Sequence, residues 1–252
     1  MKKVFHPKYQ DSELDIDGFI ESFDSSGEYI IDARNKLKLF QLNDVVVNIK
    51  SFKVPNLINQ IVYRFFRKGK AQRSFEYAEK LKELGIGTPQ PIAYYENSSG
   101  LLFKRSFYVS EQLEYDLTYR ELINDFHYPD YENILRAFTR FTYELHEKGI
   151  RFLDHSPGNT LIVKRENTYD FFLVDLNRMN FGTLDFETRI KNFSRLTTHK
   201  SVVEVMSDEY AKCSGKKYDT VFDLMWKSSL DFNRMLYRRR DLKMKVFFWK
   251  EN

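Results

Sequence analysis

The segment from His146 to Arg178 constrains the fold of this 252-residue chain more than any other. Apolar residues at helical spacing predict an amphipathic helix over 131–148, which leads directly into the segment. The helix is followed by a loop that reads Asp-His-Ser-Pro-Gly-Asn at 154–159. Two apolar runs, 160–163 and 170–174, then form a predicted hairpin. Its second strand runs into Asp175, so the segment sets polar side chains on a loop and at a strand end.

Three of these side chains are candidates for one reaction. Kinase-type phosphoryl transfer uses a loop Asp, an Asn five residues later and a second Asp after a hairpin. In this interpretation Asp154 is catalytic and accepts the proton of the attacking hydroxyl. Asn159 and Asp175 supply oxygen ligands for Mg²⁺ that bridges the nucleotide phosphates. The alternative is a plain turn, in which Asp and Asn side chains bind backbone amides and Pro157-Gly158 reverses the chain.

The first half of the chain reads as a sheet with one main helix. Residues 28–52 alternate short β-rich runs with polar breaks and predict an antiparallel meander of three strands. A charged stretch with apolar residues at helical spacing predicts a helix over 68–84 that stops at Gly85. Two further strands are expected at 92–96 and 106–112. We therefore expect an α+β, two-lobe, protein-kinase-like fold: a β-rich nucleotide-binding lobe over 1–113 and a mostly helical catalytic and acceptor-binding lobe over 114–252.

The first lobe must supply cations and polar contacts to a nucleotide. Lys50 lies at the end of the third strand, on the face shared with Val46 and Asn48, and is the candidate for the phosphates; Lys53 competes with it. No Walker-type or G-x-G-x-x-G glycine loop occurs in the sequence. The turn at 32–36, with Arg34 and Asn35, is therefore either a cover for the phosphates or a charged hairpin tip. The junction at 109–113, which includes Glu111, is the candidate for contacts to the nucleotide base.

Composition excludes several classes of protein. The hydrophobic content of 42% and the 23 Phe and 16 Tyr favour a packed protein over a disordered one. A single cysteine, Cys213, excludes an internal disulfide and a cysteine zinc site. The sequence shows neither a signal peptide nor a spanning helix, so we expect a cytoplasmic protein. The net charge of +4 is modest and no recognised motif is present, so we expect no nucleic-acid partner.

Several of these segments resemble the lipopolysaccharide kinase family, the Kdo and heptose kinases of bacterial envelope synthesis. The resemblance spans roughly 28–180, and its most specific elements are Gly85-Ile-Gly-Thr-Pro-Gln-Pro91 and Asp154-His-Ser-Pro-Gly-Asn159. It implies a protein-kinase-like fold and an enzyme that uses ATP and Mg²⁺ to phosphorylate a sugar hydroxyl of the lipid-linked inner core. By resemblance, Lys50 is the nucleotide lysine, Asp154 the catalytic base, and Asn159 and Asp175 the metal ligands.

The sequence departs from the protein-kinase pattern at three places. Phe152 replaces the histidine two residues before the catalytic Asp, which predicts a loop held by packing instead of a hydrogen bond. Leu176-Asn177 replaces Phe-Gly after the metal-binding Asp. At the third place, the acid that should pair with Lys50 is not evident, because Ser74 occupies its expected position. Glu79 is the favoured candidate over Glu76, and both can also be surface charges.

The C-terminal run 234–250 mixes cations with aromatic residues. It suits peripheral contact with an anionic membrane at the inner face of the inner membrane, or it is a helix or strand with its aromatics packed inward. Two rival functions stay open: the same catalytic machinery acting on a protein or another alcohol, and a non-catalytic nucleotide-binding module.

Overall fold

The computed structural model describes residues 1–32 and 35–248. It divides into two compact units: Met1–Glu114 with Phe172–Arg178, and Tyr115–Phe171 with Met179–Asn252. The elements of the first unit are, in chain order, β1 (Lys2–Phe5), a 3-10 helix (Pro7–Ser12), α1 (Glu13–Glu21), β2 (Glu28–Asp32), β3 (Lys36–Leu42), β4 (Val45–Phe52), α2 (Leu57–Phe65), α3 (Lys70–Glu83), β5 (Pro91–Ser99) and β6 (Leu102–Glu111).

The first unit is built on a six-stranded antiparallel sheet with the strand order β1-β5-β6-β4-β3-β2. Side chains of β4 alternate between its two faces, as expected for a strand. Val47 and Ile49 are fully buried in a core with residues of α1, whereas Lys50 is on the opposite face and is half-buried. Phe52, on the face of Lys50, packs against Phe75 of α3. The alternation thus fixes which face of β4 carries the lysine.

The predicted meander and the helix at 68–84 are present, with β2, β3, β4 and α3 close to the expected bounds. The sheet is larger than predicted, because β1 adds an edge strand next to β5. The expectation of one helix was incomplete, since the first unit also contains α1 and α2. In α1 the buried apolar residues are Ile16 and Ile20, a pair too short to stand out as a helical period.

The second unit is mostly helical and contains short strands. Its elements are β7 (Leu117–Thr118), α4 (Tyr119–Asn124), α5 (Tyr131–Glu147), β8 (Ile150–Phe152), β9 (Thr160–Lys164), β10 (Tyr169–Leu173), β11 (Met179–Phe181), α6 (Phe186–Lys191), a 3-10 helix (Asn192–Arg195), α7 (Lys200–Ser214) and α8 (Tyr218–Phe248). Its core joins α5, α7 and α8 through residues such as Phe138, Met206 and Met225. The predicted helix at 131–148 and the predicted hairpin are both present.

The C-terminal basic and aromatic run forms the end of α8, and residues 249–252 lie outside the described residues. Leu236, Tyr237, Leu242 and Met244 are exposed on this helix. The alternative in which the run packs its aromatics inward is therefore wrong for Tyr237. Within the described residues, no helix is long and apolar enough to cross a membrane.

Candidate active site

Lys50 and Asp175 meet in the first unit although they are far apart in the sequence. The Nζ atom of Lys50 lies 2.7 Å from Oδ1 of Asp175, and both side chains are only partly exposed. Lys53, the competing lysine, is exposed, and its backbone N–H donates a hydrogen bond to Oδ1 of Asn35. Lys50 lies within β4, whereas Lys53 follows the last residue of that strand, Phe52.

The backbone at Asp175 has an unusual conformation. Its φ of 58° lies in the left-handed region, which Asp and Asn tolerate better than most other residues with a Cβ. The Nδ2 group of Asn177 donates a 2.7 Å hydrogen bond to Oδ1 of Asp175, and Asn177 is itself buried. The Leu176-Asn177 departure from Phe-Gly therefore supplies a donor that orients the carboxylate.

The Gly-Ile-Gly-Thr-Pro segment after α3 holds the strand that leads to Asp175. The backbone N–H of Leu173 donates to the carbonyl of Gly87, and Oγ1 of Thr88 donates to the carbonyl of Leu173, both at 2.9 Å. Thr88 is buried, so this hydrogen bond is shielded from water. These contacts give a physical role to a motif that the sequence singled out by resemblance alone.

Asp154 and Asn159 belong to one loop of the second unit. The Nδ2 group of Asn159 donates to the backbone carbonyl of Asp154 at 2.9 Å, which leaves its Oδ1 as an acceptor. The guanidinium of Arg195 donates to Oδ1 of Asp154 at 2.7 Å and to the carbonyl of Leu153 at 2.9 Å. The side chain of Asp154 is mostly buried, so this charge-assisted bond fixes the carboxylate in one orientation.

Buried polar residues also hold the loop that contains Asp154. Asn192 donates to the carbonyl of Phe152 at 2.8 Å, and its Oδ1 lies 3.2 Å from Nε2 of His146. Phe152 is buried, as expected for packing. The prediction that packing holds the loop was incomplete, because the backbone carbonyl of Phe152 also accepts hydrogen bonds from Asn192 and from the backbone of His155.

His155, next to Asp154, anchors the loop as predicted. It is fully buried, stacks on Phe138 and lies with Nε2 3.3 Å from Oγ1 of Thr142. Burial lowers the pKa of His155 to about 3, and burial likewise lowers the pKa of His146 to about 4. Both imidazoles are therefore neutral near pH 7, which fits a packing role and not that of a general acid.

The remaining predicted nucleotide residues are scattered through the first unit. Oε1 of Glu79 lies 3.9 Å from Nε2 of His6, and the buried face of α3 contains Ser74 and no acid. The carboxylate that Lys50 contacts is that of Asp175, so pairing with Glu79 stays a prediction. Oε1 of Glu111 accepts hydrogen bonds from Lys8 and Tyr9. Arg34 lies outside the described residues.

Glu111 is held by these N-terminal contacts. Burial acts to raise its pKa, but the hydrogen bonds from Tyr9 and Lys8 outweigh burial and lower it. The carboxylate is thus ionised at neutral pH and accepts hydrogen bonds from Lys8 and Tyr9. Contact of this junction with a nucleotide base stays a prediction.

Sequence reasoning did not find Arg195 or Asn192. Both follow α6 in a short 3-10 helix, about forty positions after the loop that they contact. No local pattern marks them, since an Arg and an Asn at a helix end are ordinary surface residues in a sequence. Their roles follow from a long-range contact.

Each of the two predicted metal ligands carries an oxygen donor. Asp175 offers a carboxylate and Asn159 an amide oxygen, and hard oxygen ligands are those that Mg²⁺ prefers. Few protein ligands are expected, because Mg²⁺ commonly keeps waters and substrate phosphates in its shell. No group of three or more His, Cys, Asp or Glu residues that could hold a metal occurs in residues 1–32 and 35–248.

Comparison with solved structures defines the class of protein. The structure of WaaP in complex with acyl carrier protein is similar over 94% of this chain and 99% of that chain, with a TM-score of 0.64 and 14% sequence identity. At this identity the match shows the fold, a WaaP-like kinase fold. A comparison with curated proteins found no match.

The family follows from the sequence itself. The profile of the lipopolysaccharide kinase (Kdo/WaaP) family matches residues 54–213, more than half of the chain. The chain therefore belongs to this family of phosphotransferases, which implies the use of ATP. The matched range includes Asp154, Asn159 and Asp175 and begins just after Lys50, so Lys50 is supported here by its contact with Asp175 alone.

Proposed function

We propose that this chain transfers the terminal phosphoryl group of ATP to a sugar hydroxyl of the lipopolysaccharide inner core, on Kdo or heptose. The observation that carries the proposal is the 2.7 Å pair of Lys50 and Asp175. A partly exposed ion pair stabilises a fold by only about 0–1 kcal/mol. Stability alone is therefore a weak reason to hold an ammonium group against this carboxylate, whereas phosphate and metal binding require both groups.

Each residue has a defined task in the proposed reaction. Asp154 accepts the proton of the attacking hydroxyl while Arg195 keeps its carboxylate in place. When nucleotide binds, the ammonium group of Lys50 leaves Asp175 and contacts the nucleotide phosphates. Asn159 and Asp175 would hold Mg²⁺, which supplies neutralisation of the phosphate charge when bound. Catalysis then rests on positioning and charge, as is usual for phosphoryl transfer.

The acceptor is tested with purified protein, Mg²⁺ and ATP labelled at the γ-phosphate. Three acceptors are offered: inner-core glycolipid that lacks phosphate, the same oligosaccharide after deacylation, and a general protein substrate. We expect label on the glycolipid, and mass spectrometry then identifies the phosphorylated sugar. Label on the protein alone would contradict the proposal, and nucleotide binding without transfer to any acceptor would favour a non-catalytic module.

The variant Asp154→Asn serves as the catalytic control in this assay. It should bind nucleotide and transfer no phosphate, because the amide cannot accept the hydroxyl proton. Omission of Mg²⁺, with EDTA present, should abolish transfer by the unaltered protein as well. Transfer that persists without divalent metal would contradict the roles given to Asn159 and Asp175.

A further inference from the structure

Helix α2 turns its apolar side chains outward. At about 100° of arc per residue, positions 57, 58, 61 and 65 lie within roughly one quarter of the helix circumference. These residues, Leu57, Ile58, Ile61 and Phe65, are all exposed, and Ile58 is 75% exposed. Phe66, at the C-terminal end of the helix, is 81% exposed. We call these five residues the α2 apolar face.

The inward side of α2 is polar, the reverse of a typical surface helix. The buried residue of the helix is Gln60, which is 6% exposed. Its Nε2 group donates to the carbonyl of Pro55, and its buried Oε1 has no hydrogen-bond partner in the part of the chain that the structure describes. A chain that buries an amide and exposes a row of apolar residues is arranged for an apolar environment outside the helix.

The chain around α2 carries positive charge only. No Asp or Glu occurs between Asp44 and Glu76. The same stretch contains seven cations: Lys50, Lys53, Arg64, Arg67, Lys68, Lys70 and Arg73. Arg64 and Arg67 are exposed at the end of the α2 apolar face, and neither forms an ion pair within residues 1–32 and 35–248. Their charge is available to an anionic partner.

A cavity of about 350 Å³ adjoins the α2 apolar face, because Phe65 and Phe66 belong to its wall. Four cations also line it: Lys2, Arg64, Arg67 and Lys68. The acid in the wall is Glu96, whose pKa burial raises and whose buried Oε1 has no partner among the described residues. The cavity wall therefore contains more cations than acids and lies next to exposed apolar side chains. This combination suits a phosphate group attached to an acyl chain.

We propose that the α2 apolar face, together with the four-cation cavity, is a docking surface for an anionic lipid bilayer. The apolar side chains enter the boundary between head groups and acyl chains, and the cavity takes a lipid phosphate. A bilayer suits the surface better than a protein does. Specific protein interfaces bury about 800 Å² per partner and contain few lysines, whereas this surface is one nine-residue helix beside a cavity with two lysines in its wall.

Flotation with lipid vesicles tests the proposal on the full chain, without nucleotide. Vesicles of phosphatidylglycerol and phosphatidylethanolamine are compared with vesicles of phosphatidylcholine. We expect binding to the anionic vesicles at least about tenfold stronger, and weaker at high salt. The double variant Ile58→Ser with Phe66→Ser should lose about tenfold or more of this binding, because two apolar side chains no longer enter the bilayer.

The matched control is Leu101→Ser, which removes an exposed apolar residue from the turn between β5 and β6. It should bind vesicles within about twofold of the unaltered chain, since a scattered exposed apolar residue has little effect. Arg64→Gln with Arg67→Gln should lower binding to anionic vesicles by about tenfold and flatten its salt dependence. Unchanged thermal unfolding shows that each variant is folded.

Several outcomes would overturn the proposal. The first is that the Ile58 and Phe66 double variant binds vesicles as strongly as the unaltered chain. Another is loss of binding only when Arg238, Arg239 and Arg240 of α8 are replaced by Gln. A third is that the double variant loses affinity for acyl carrier protein and keeps its affinity for lipid. Binding by Asp154→Asn must persist, because docking does not depend on the proposed reaction.

Discussion

Asp175 in the first unit and Asp154 in the second unit each contact a cation at 2.7 Å. In the first unit Asp175 contacts the ammonium group of Lys50. In the second unit Asp154 contacts the guanidinium of Arg195, which also binds the carbonyl of Leu153. Lysine is a point charge on a flexible stem, whereas the planar guanidinium of Arg195 binds both the carboxylate of Asp154 and the neighbouring carbonyl.

The difference between the two pairs matches their proposed tasks. Asp175 must release Lys50 when Mg²⁺ and phosphate arrive, and a single lysine contact can separate easily. Asp154 must keep one orientation towards a hydroxyl, and it is fixed by Arg195 in a loop that Asn192 also binds. Under the proposed mechanism the Lys50–Asp175 pair is exchangeable, because it opens when nucleotide binds, and the Arg195–Asp154 pair is permanent.

The largest effect is expected from Asp154→Asn. Loss of the proton acceptor should lower kcat by about 10³-fold, with nucleotide affinity within about twofold. Steady-state kinetics and nucleotide titration check both. The control is Asp170→Asn, which removes an exposed carboxylate paired with Arg165 in the same unit and should leave kcat unchanged. Equal losses for the two variants would break the assignment of Asp154.

Lys50→Met tests the exchangeable pair. The variant should lower kcat/KM for ATP by about 10²-fold, because the phosphates lose a preorganised cation. Lys53→Met is the matched control, since it removes the exposed lysine three residues on, and it should stay within about twofold. If Lys53→Met shows the larger loss, the lysine identified from the contact with Asp175 is wrong.

The pH dependence of stability tests how the permanent pair is supported. His155 and His146 have pKa values of about 3 and 4 in the folded chain, against 6.5 for an ordinary imidazole. Below pH 6.5 the unfolded chain binds protons that the folded chain does not, so stability is full above pH 6.5 and falls as the pH is lowered. At pH 5 each imidazole should cost about 2 kcal/mol of unfolding free energy.

Urea unfolding at pH 7 and pH 5 measures this cost. His155→Gln should lower stability at both pH values and reduce the difference between them. His127→Gln, at an exposed histidine, is the control and should leave the difference as it is. A pH difference that is the same in all three proteins would show that His155 does not titrate on unfolding.

Arg195→Gln should lower kcat by about tenfold and leave the KM for ATP unchanged, because Asp154 keeps its chemistry and loses its fixed orientation. Arg165→Gln, which breaks an exposed pair in the same unit, is the control. A rise in the KM for ATP without a change in kcat would place Arg195 in nucleotide binding and would remove the contrast between the two pairs.

The smallest effect is expected from Glu79→Gln, with less than about a twofold change in kcat/KM for ATP, because Glu79 lies near His6 in this structure. Glu76→Gln, on the same helix, is the comparison, and Glu76 pairs with Lys68. If Glu79→Gln alone lowers kcat/KM for ATP tenfold or more, Glu79 forms the ion pair with Lys50 when nucleotide binds.

Much of the fold could be predicted from local patterns. The meander with Lys50 at its last strand, helix α3, helix α5 and the hairpin before Asp175 all follow from periods of two or 3.6 residues. Elements with few apolar residues were missed, as α1 shows with its single buried pair. Helix α2 was missed as well, because a period says which residues share a face and not whether that face lies inward.

For the candidate site, the sequence alone determined the residue types and their order: an acid and an amide on a loop, an acid after a hairpin and a lysine at a strand end. Such features are local, since neighbouring residues fix them. Only the tertiary structure decided that Lys50 contacts Asp175, that Arg195 and Asn192 hold the loop of Asp154, and that the apolar side of α2 faces outward. Each of these depends on the packing of distant segments, which no local pattern of side chains encodes.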